Sequence, residues 1–299
     1  MPGIKRDTRL GVIVVARNER THLRRTVENL LDTVPTGTDL LVVDDESADG
    51  CCRFLASKRA PARLVRAGGL GVAGARNLGA ARSRGEVLIF CDAHLWLDKD
   101  WWRPLAERAA DPRTGGASPL IVDADEPRRI GGGLHFEGPA LLAGWLAPRK
   151  RPGRVPILPG ACLAIRRKRF FEAGGFDGGM ICSGGVDNEF CLRLWLLGYE
   201  QWVEPSVRVR HLFRTEQPYP VGFDTILHNR LRLALIHFKP ARIERVARAL
   251  CREKHFPAAL ALTAGTDIAE RRSYWAARRI RDDDWFFRRF AKVRTYRNG

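Results

Sequence analysis

The stretch Gly85-Glu-Val-Leu-Ile-Phe-Cys-Asp-Ala-His-Leu-Trp96 decides the fold. Residues 87–91 are apolar without alternation, which predicts a strand covered on both faces. Asp92 and His94 follow where that strand ends. Open α/β sheets bind ligands beyond the carboxyl ends of their strands. An oxygen donor and a nitrogen donor at that edge are therefore candidates for part of a metal site.

The same pattern recurs on either side. Residues 10–16 read Leu-Gly-Val-Ile-Val-Val-Ala and predict a buried strand leading to Arg17-Asn-Glu19. Helical periodicity over 21–31 precedes a second apolar strand over 38–43, closed by Asp44 and Asp45. Strand, helix and strand joined by short connections predict parallel βαβ units. A helix is expected over 52–57 and a short third strand over 62–66. The run from Gly68 to Gly79 is glycine-rich and leads into a helix over 75–84. Glycines permit close backbone approach and a helix N-terminus favours phosphate. The spacing matches neither a Walker loop nor a dinucleotide fingerprint, which argues against a dehydrogenase.

Beyond the opening stretch the pattern predicts a helix over 100–110 and a strand over 117–122. Residues 123–158 are rich in Gly, Pro and Arg and predict an irregular, mobile segment facing an acceptor. A strand over 160–165, a helical turn over 167–173 and a helix opening on Asp187 and Glu189 follow. The last strand is expected over 203–209. From about residue 225 the chain reads as basic helices.

Composition sets the class. The chain has 299 residues, 45% of them hydrophobic, with eight Trp, enough for a sizeable core. A formal charge of +17 favours anionic partners. The seven Cys are scattered without Cys-x-x-Cys spacing, which predicts reduced thiols in a cytoplasmic setting. No run of about 18 apolar residues predicts a membrane span.

Taken in order, these landmarks resemble the nucleotide-sugar-dependent glycosyltransferases of the GT-A fold. Both the general family-2 enzymes and the polypeptide N-acetylgalactosaminyltransferases are similar, over roughly residues 10–215. The landmarks are Asn18-Glu19, Asp44-Asp45-x-Ser47, Arg76-Asn77-x-Gly79, Asp92-x-His94, Gly174-Gly-Phe-Asp177, Asp187-x-Glu189 with Arg193 and Trp195, and His211-x-Phe213-Arg214. The resemblance implies an α/β GT-A fold: a Rossmann-like, mostly parallel sheet flanked by helices, with a basic C-terminal helical extension. It implies a catalytic domain over 1–222, divided into a nucleotide-sugar half to about 122 and an acceptor half over 123–222. A separate helical region over 223–299 follows.

The resemblance also implies roles. Asp45 would accept the uracil imide N–H of a UDP-sugar, with Asp44 holding the same loop. Arg76 would reach the base or diphosphate. Ala16 and Arg17 take the place where many relatives carry an aromatic residue over the base, and Arg17 could stack there instead. Asp92, His94 and His211 match the metal motif of the polypeptide transferases, with Mn²⁺ favoured and Mg²⁺ the alternative. Asp187 falls on the general base of inverting family-2 enzymes, although Val186 replaces the usual preceding Glu. Glu189 is the reserve base. Inversion is therefore expected, with a retaining mechanism like that of the polypeptide transferases as the alternative.

The expected partners are a UDP-sugar and a peptide, glycan or small-molecule acceptor carrying a hydroxyl or thiol. The basic helices would lend peripheral contact at the inner face of a membrane, and nucleic acid is not expected. The rival from another class is a basic module, with Arg271, Arg272, Arg278 and Arg279 interleaved with Trp275, Trp285 and Phe286, that binds nucleic acid or membrane without catalysis.

Overall fold

The computed structural model describes residues 8–57, 59–293 and 295–296. The first half alternates as the patterning predicts. β1 (Leu10–Ala16), α1 (Arg20–Thr33), β2 (Asp39–Asp44), β3 (Arg63–Arg66), α2 (Gly71–Arg82), β4 (Val87–Asp92), β5 (Leu95–Leu97), α3 (Trp102–Ala110) and β6 (Thr114–Asp123) follow in turn. The helix expected over 52–57 is only a 3₁₀ turn, Arg53–Leu55. It is too short to carry an apolar face, and its length is set by the return into β3.

The second half adds β7 (Ile130–Gly131), β8 (Leu134–Glu137), β9 (Leu142–Trp145), β10 (Gly153–Arg154), β11 (Cys162–Arg166), α4 (Arg167–Glu172), α5 (Val186–Leu196) and β12 (Glu200–His211). α6 (Phe223–His237), α7 (Pro240–Leu250), α8 (Phe256–Ala264), α9 (Ile268–Ala276) and α10 (Asp283–Arg289) complete the chain. The segment 123–158 is thus not irregular. β8 and β9 form an antiparallel hairpin, and Leu141, Leu146, Val155, Ile157 and Leu158 are buried in the main core. The glycines that suggest a loose segment let the chain pack closely: a Cβ at Gly131 would run into the Trp145 ring.

The central sheet has the order β10-β12-β6-β11-β4-β1-β2-β3. β1 pairs in parallel with β2 and β4, β2 with β3, and β12 with β6. β11 runs antiparallel between β4 and β6. Six central strands therefore share one direction, and their carboxyl ends open on one edge. Ala16, Asp44, Asp92, Asp123 and His211 all stand at that edge as the last residues of their strands. β11 begins there because it runs the other way, which places Gly160 and Ala161 at the same rim.

Cores form on both faces of the sheet. One holds α1 and α3 against β1 and β4 through Leu23, Val27, Leu30 and Leu105. The other joins α2 and α5 to the late helices in one apolar cluster, with Phe90, Phe176, Phe190, Leu227, Leu231, Phe238 and Phe286 together. The core therefore runs without a break across residue 222. Buried ion pairs reinforce the join. Arg232 donates to both oxygens of Asp177 at 2.8 Å, and both side chains are fully buried. Trp275 and Phe286 are core residues. The basic character of these helices is partly internal, since Arg242 pairs with Asp283 and Lys239 with Asp284. Among the described residues no helix is long and apolar enough to cross a membrane. All seven Cys are free, five of them buried.

Candidate active site

The opening motif meets its distant partner at the sheet edge. Asp92 closes β4, and the turn after it carries His94. Thr26 of α1 fixes that turn, donating to the Ala93 carbonyl at 3.0 Å and accepting from the Leu95 amide at 3.1 Å. β12 runs beside β5, so His211 pairs with Leu95, and the Leu212 amide donates to the His94 carbonyl. The result is convergent. His94 Nε2 and His211 Nε2 are 3.2 Å apart, and His211 Nε2 is 3.2 Å from Asp92 Oδ2. One ligand atom from each of the three residues lies within 4.8 Å of the others.

Glu19 supports this cluster. His94 Nδ1 lies 3.1 Å from Glu19 Oε2, and Arg214 donates to both Glu19 oxygens. Burial alone would raise the Glu19 carboxyl, but the bonds from His94 and Arg214 outweigh it and hold it below its usual range. An ionised Glu19 accepts a hydrogen bond from His94 Nδ1–H. That leaves the Nε2 lone pair facing Asp92 and His211, the arrangement in which carboxylates orient metal-ligating histidines. Two imidazole lone pairs and a carboxylate aimed at one point repel one another unless a cation or a proton lies between them. The donor set suits a borderline divalent transition cation.

Arg76 joins the metal cluster to the proposed base. It is buried, and it donates to Asp187 Oδ1 at 2.6 Å, to Asp92 Oδ1 at 3.3 Å and to the Gly160 carbonyl at 2.8 Å. Its guanidinium is thus engaged by protein carboxylates along the cleft wall, whereas the resemblance has it reaching for the donor. Asp187 opens α5 and packs over Gly160, where any Cβ would collide with its carboxylate. Burial raises the Asp187 carboxyl above its ordinary value, with Arg76 pulling the other way. A quarter of the side chain remains exposed to the cleft.

A cleft of about 280 Å³ gathers Arg17, Glu19, Asp45, Arg76, Asp92, His94, Asp187 and His211 along its walls. Asp45 accepts the amides of Leu70 and Gly71 at 2.7 and 2.9 Å, which ties the glycine loop to the end of β2. Asp44 holds the same loop from within, accepting from Arg66 and from the Ser47 amide. Arg17 lies 5.0 Å from the Tyr219 ring centroid and 3.6 Å from Glu46. Ala16 does not face the cleft. Its methyl is fully buried in the core, and only its carbonyl serves the site, accepting the Asp45 amide at 2.9 Å.

Glu189 is also elsewhere. It faces the opposite side of α5 from Asp187 and is fully buried. Arg193 donates to its two oxygens at 2.7 and 2.8 Å, and His237 Nε2 lies 2.7 Å from Oε1. Burial would raise its carboxyl, but Arg193 and His237 hold it far below the ordinary range. It has no path to an acceptor and ties α5 to α6. Helical geometry explains the separation, since residues two apart lie on different faces.

Sequence reasoning missed the residues that support the centre. Glu19 stands in a recognised landmark, but its bond to His94 depends on the fold. Arg214 likewise stands in a landmark without its bond to Glu19 being legible there, and Tyr219, Cys182 and Ser183 line the cleft and carry no local signal. A second cavity, also about 280 Å³, adjoins the first through Phe213, which lines both. Its walls include Ile121, Ile130, Trp145 and Tyr296, with Glu137 beside them. Phe213 packs on His211, with ring centroids 4.5 Å apart, and meets Trp145 edge-on at 5.8 Å.

Residues 11–172, just over half of the chain, match the family model described as glycosyl transferase family 2. Curated relatives include polypeptide N-acetylgalactosaminyltransferase 11 of Xenopus tropicalis, 34% identical over 252 residues, covering 75% of this chain and 42% of that protein. Polypeptide N-acetylgalactosaminyltransferase 15 of Homo sapiens is 32% identical over 235 residues, covering 71% and 37%. The chain spans about two fifths of the length of these relatives. Among solved structures, GalNAc-T7 with UDP, GalNAc and Mn²⁺ superposes with a TM-score of 0.78 at 24% identity, covering 95% of this chain and 57% of that one. The mannosyltransferase PcManGT of Pyrobaculum calidifontis, with GDP-Man and Mn²⁺, gives 0.54 at 19% identity, covering 90% and 79%. The fold is the GT-A fold, and the chain belongs to glycosyl transferase family 2.

Proposed function

We propose that this protein transfers a sugar from a UDP-sugar to a hydroxyl of a peptide acceptor, with inversion at the anomeric carbon and Asp187 as the base. The observation that carries this reading is the placement of Asp187. Its carboxylate shares a cleft with the Asp92, His94 and His211 cluster, separated from it by one guanidinium.

The residues divide the work. Asp44 and Asp45 brace the loops beside the nucleotide, and Arg17 supplies a planar cation for the base. A divalent cation held by Asp92, His94 and His211 would neutralise the charge that builds on the diphosphate leaving group. Glu19 and Arg214 hold His94 in the tautomer that makes this possible. Asp187 takes the acceptor proton on Oδ2, while Oδ1 stays bonded to Arg76. The acceptor oxygen then forms its bond to the anomeric carbon as the bond to the diphosphate breaks, and the leaving group keeps that electron pair. Burial makes Asp187 a stronger base than an exposed carboxylate, and the Arg76 guanidinium offsets part of that rise. The cavity beyond Phe213 offers an apolar seat for the acceptor, in keeping with the polypeptide transferases among the relatives.

The test is Asp187→Asn with the product anomer read by NMR in the wild type. The variant should keep donor binding and lose transfer by roughly 10²–10⁴-fold. A product that retains the donor's anomeric configuration, or a variant with wild-type transfer, overturns the assignment.

A further inference from the structure

Beside the cleft, the chain past α10 returns to the acceptor-side hairpin. The Tyr296 amide donates to the Trp145 carbonyl at 2.9 Å, and Thr295 bridges Leu146 in antiparallel fashion. Two residues thus extend the edge beside β9 as an added strand would. Strand geometry then directs the Tyr296 ring into the second cavity, among Ile121, Ile130, Trp145 and Phe213. In sequence the late helices read as an appendage, yet their continuation builds a wall of the space next to the metal cluster.

We propose that Tyr296 is a specificity-determining residue for the acceptor, closing a subsite that takes an apolar side chain beside the modified hydroxyl of a peptide. The proposal rests on the transferase reading. Three observations carry it. Phe213 touches His211 on one side and forms a wall of this cavity on the other, so an occupant lies beside the reacting centre. The walls are chiefly aliphatic and aromatic, with Glu137 and the Asp123–Arg129 ion pair also among the lining residues, and this mainly apolar surface suits an apolar side chain. The cavity stays open with Tyr296 in place, so the ring bounds the space and does not fill it. Trp145 and Phe213 are fixed by packing, Trp145 against Gly131 and Phe213 against His211. Tyr296 is held chiefly by one backbone bond and a bridge, and it is the wall whose size can change without disturbing the metal cluster.

The experiment uses the full chain, Mn²⁺, a UDP-sugar and synthetic threonine peptides differing at one neighbouring residue: Ala, Val, Leu, Phe or Asp. Both Tyr296→Ala and Tyr296→Trp are assayed, and the readout is the ratio of kcat/KM between Phe and Val peptides. A ratio measured on one preparation does not depend on how much of it is folded. Tyr296→Ala should shift the ratio about tenfold toward Phe, the scale expected for packing one aromatic ring. Tyr296→Trp should shift it toward Val. Ratios that stay within about twofold in both variants overturn the proposal. So does the absence of transfer to any peptide while the wild type still hydrolyses the donor with Mn²⁺. If the wild type shows neither hydrolysis nor transfer with any UDP-sugar, the transferase reading itself fails and takes this inference with it.

Discussion

Replacing Glu189 by Gln separates its two possible roles. In the structure the carboxylate sits fully buried between Arg193 and His237, with contacts at 2.7, 2.8 and 2.7 Å. Arg193 is itself fully buried, and it also donates to the carbonyls of Ala173 and Gly175. Neutralising one partner leaves an uncompensated guanidinium in the core, which costs about 3–5 kcal/mol. At an unfolding entropy of ~2.1 cal/mol/K per residue, a chain of this length has ΔS near ~0.6 kcal/mol/K. The thermal midpoint should therefore fall by roughly 5–8 °C. The pH dependence has a definite sign. The folded carboxyl lies far below its usual value of 4.5 because Arg193 and His237 overcome the effect of burial. Its contribution is therefore fully present above that value and shrinks as the pH falls below it. Calorimetry at neutral pH and at pH near ~4 measures both effects. A variant that keeps the wild-type midpoint but loses transfer would mean that Glu189 acts in the chemistry, and the assignment of Asp187 would fall.

Two other substitutions probe the support of the site. Glu19→Gln replaces the charged acceptor that fixes His94 with a neutral amide, so Mn²⁺ affinity measured by calorimetric titration should weaken about 10–100-fold, and unchanged affinity would show that the tautomer does not depend on that charge. Gly131→Ala pushes a methyl into the Trp145 ring. Transfer to acceptor should fall while Mn²⁺ affinity is kept, and equal loss of both would place Trp145 in the metal site's support.

The layout of strands was legible because each buried strand is short, apolar and closed by a polar residue. Asp92 and His94 were legible for the same reason, at the end of a buried strand, whereas His211 was matched only through the resemblance to the polypeptide transferases. The supporting contacts were not legible. Glu19 acts through the nitrogen of His94 that faces away from the cluster, and only the fold brings the two together. Ala16 stands next to the cleft in sequence, but strand alternation turns its methyl into the core. The hairpin over 134–145 was hidden because Gly131 and Gly144 read as loop residues. They are small because Trp145 and the Glu137 side chain occupy the space a Cβ would need. The late helices read as a basic surface because composition does not reveal that Arg232 meets Asp177 or that Arg193 meets Trp275.

The central claim is that Asp92, His94 and His211 together hold the cation that supports sugar transfer. The direct measurement is UDP release from a panel of UDP-sugars by the wild type and by His211→Ala, each with Mn²⁺ and with a chelator. The account predicts release by the wild type with Mn²⁺, loss of that release on chelation, and no metal-dependent release by a folded His211→Ala protein. Full release in the presence of the chelator, or full metal-dependent release by His211→Ala, would contradict it.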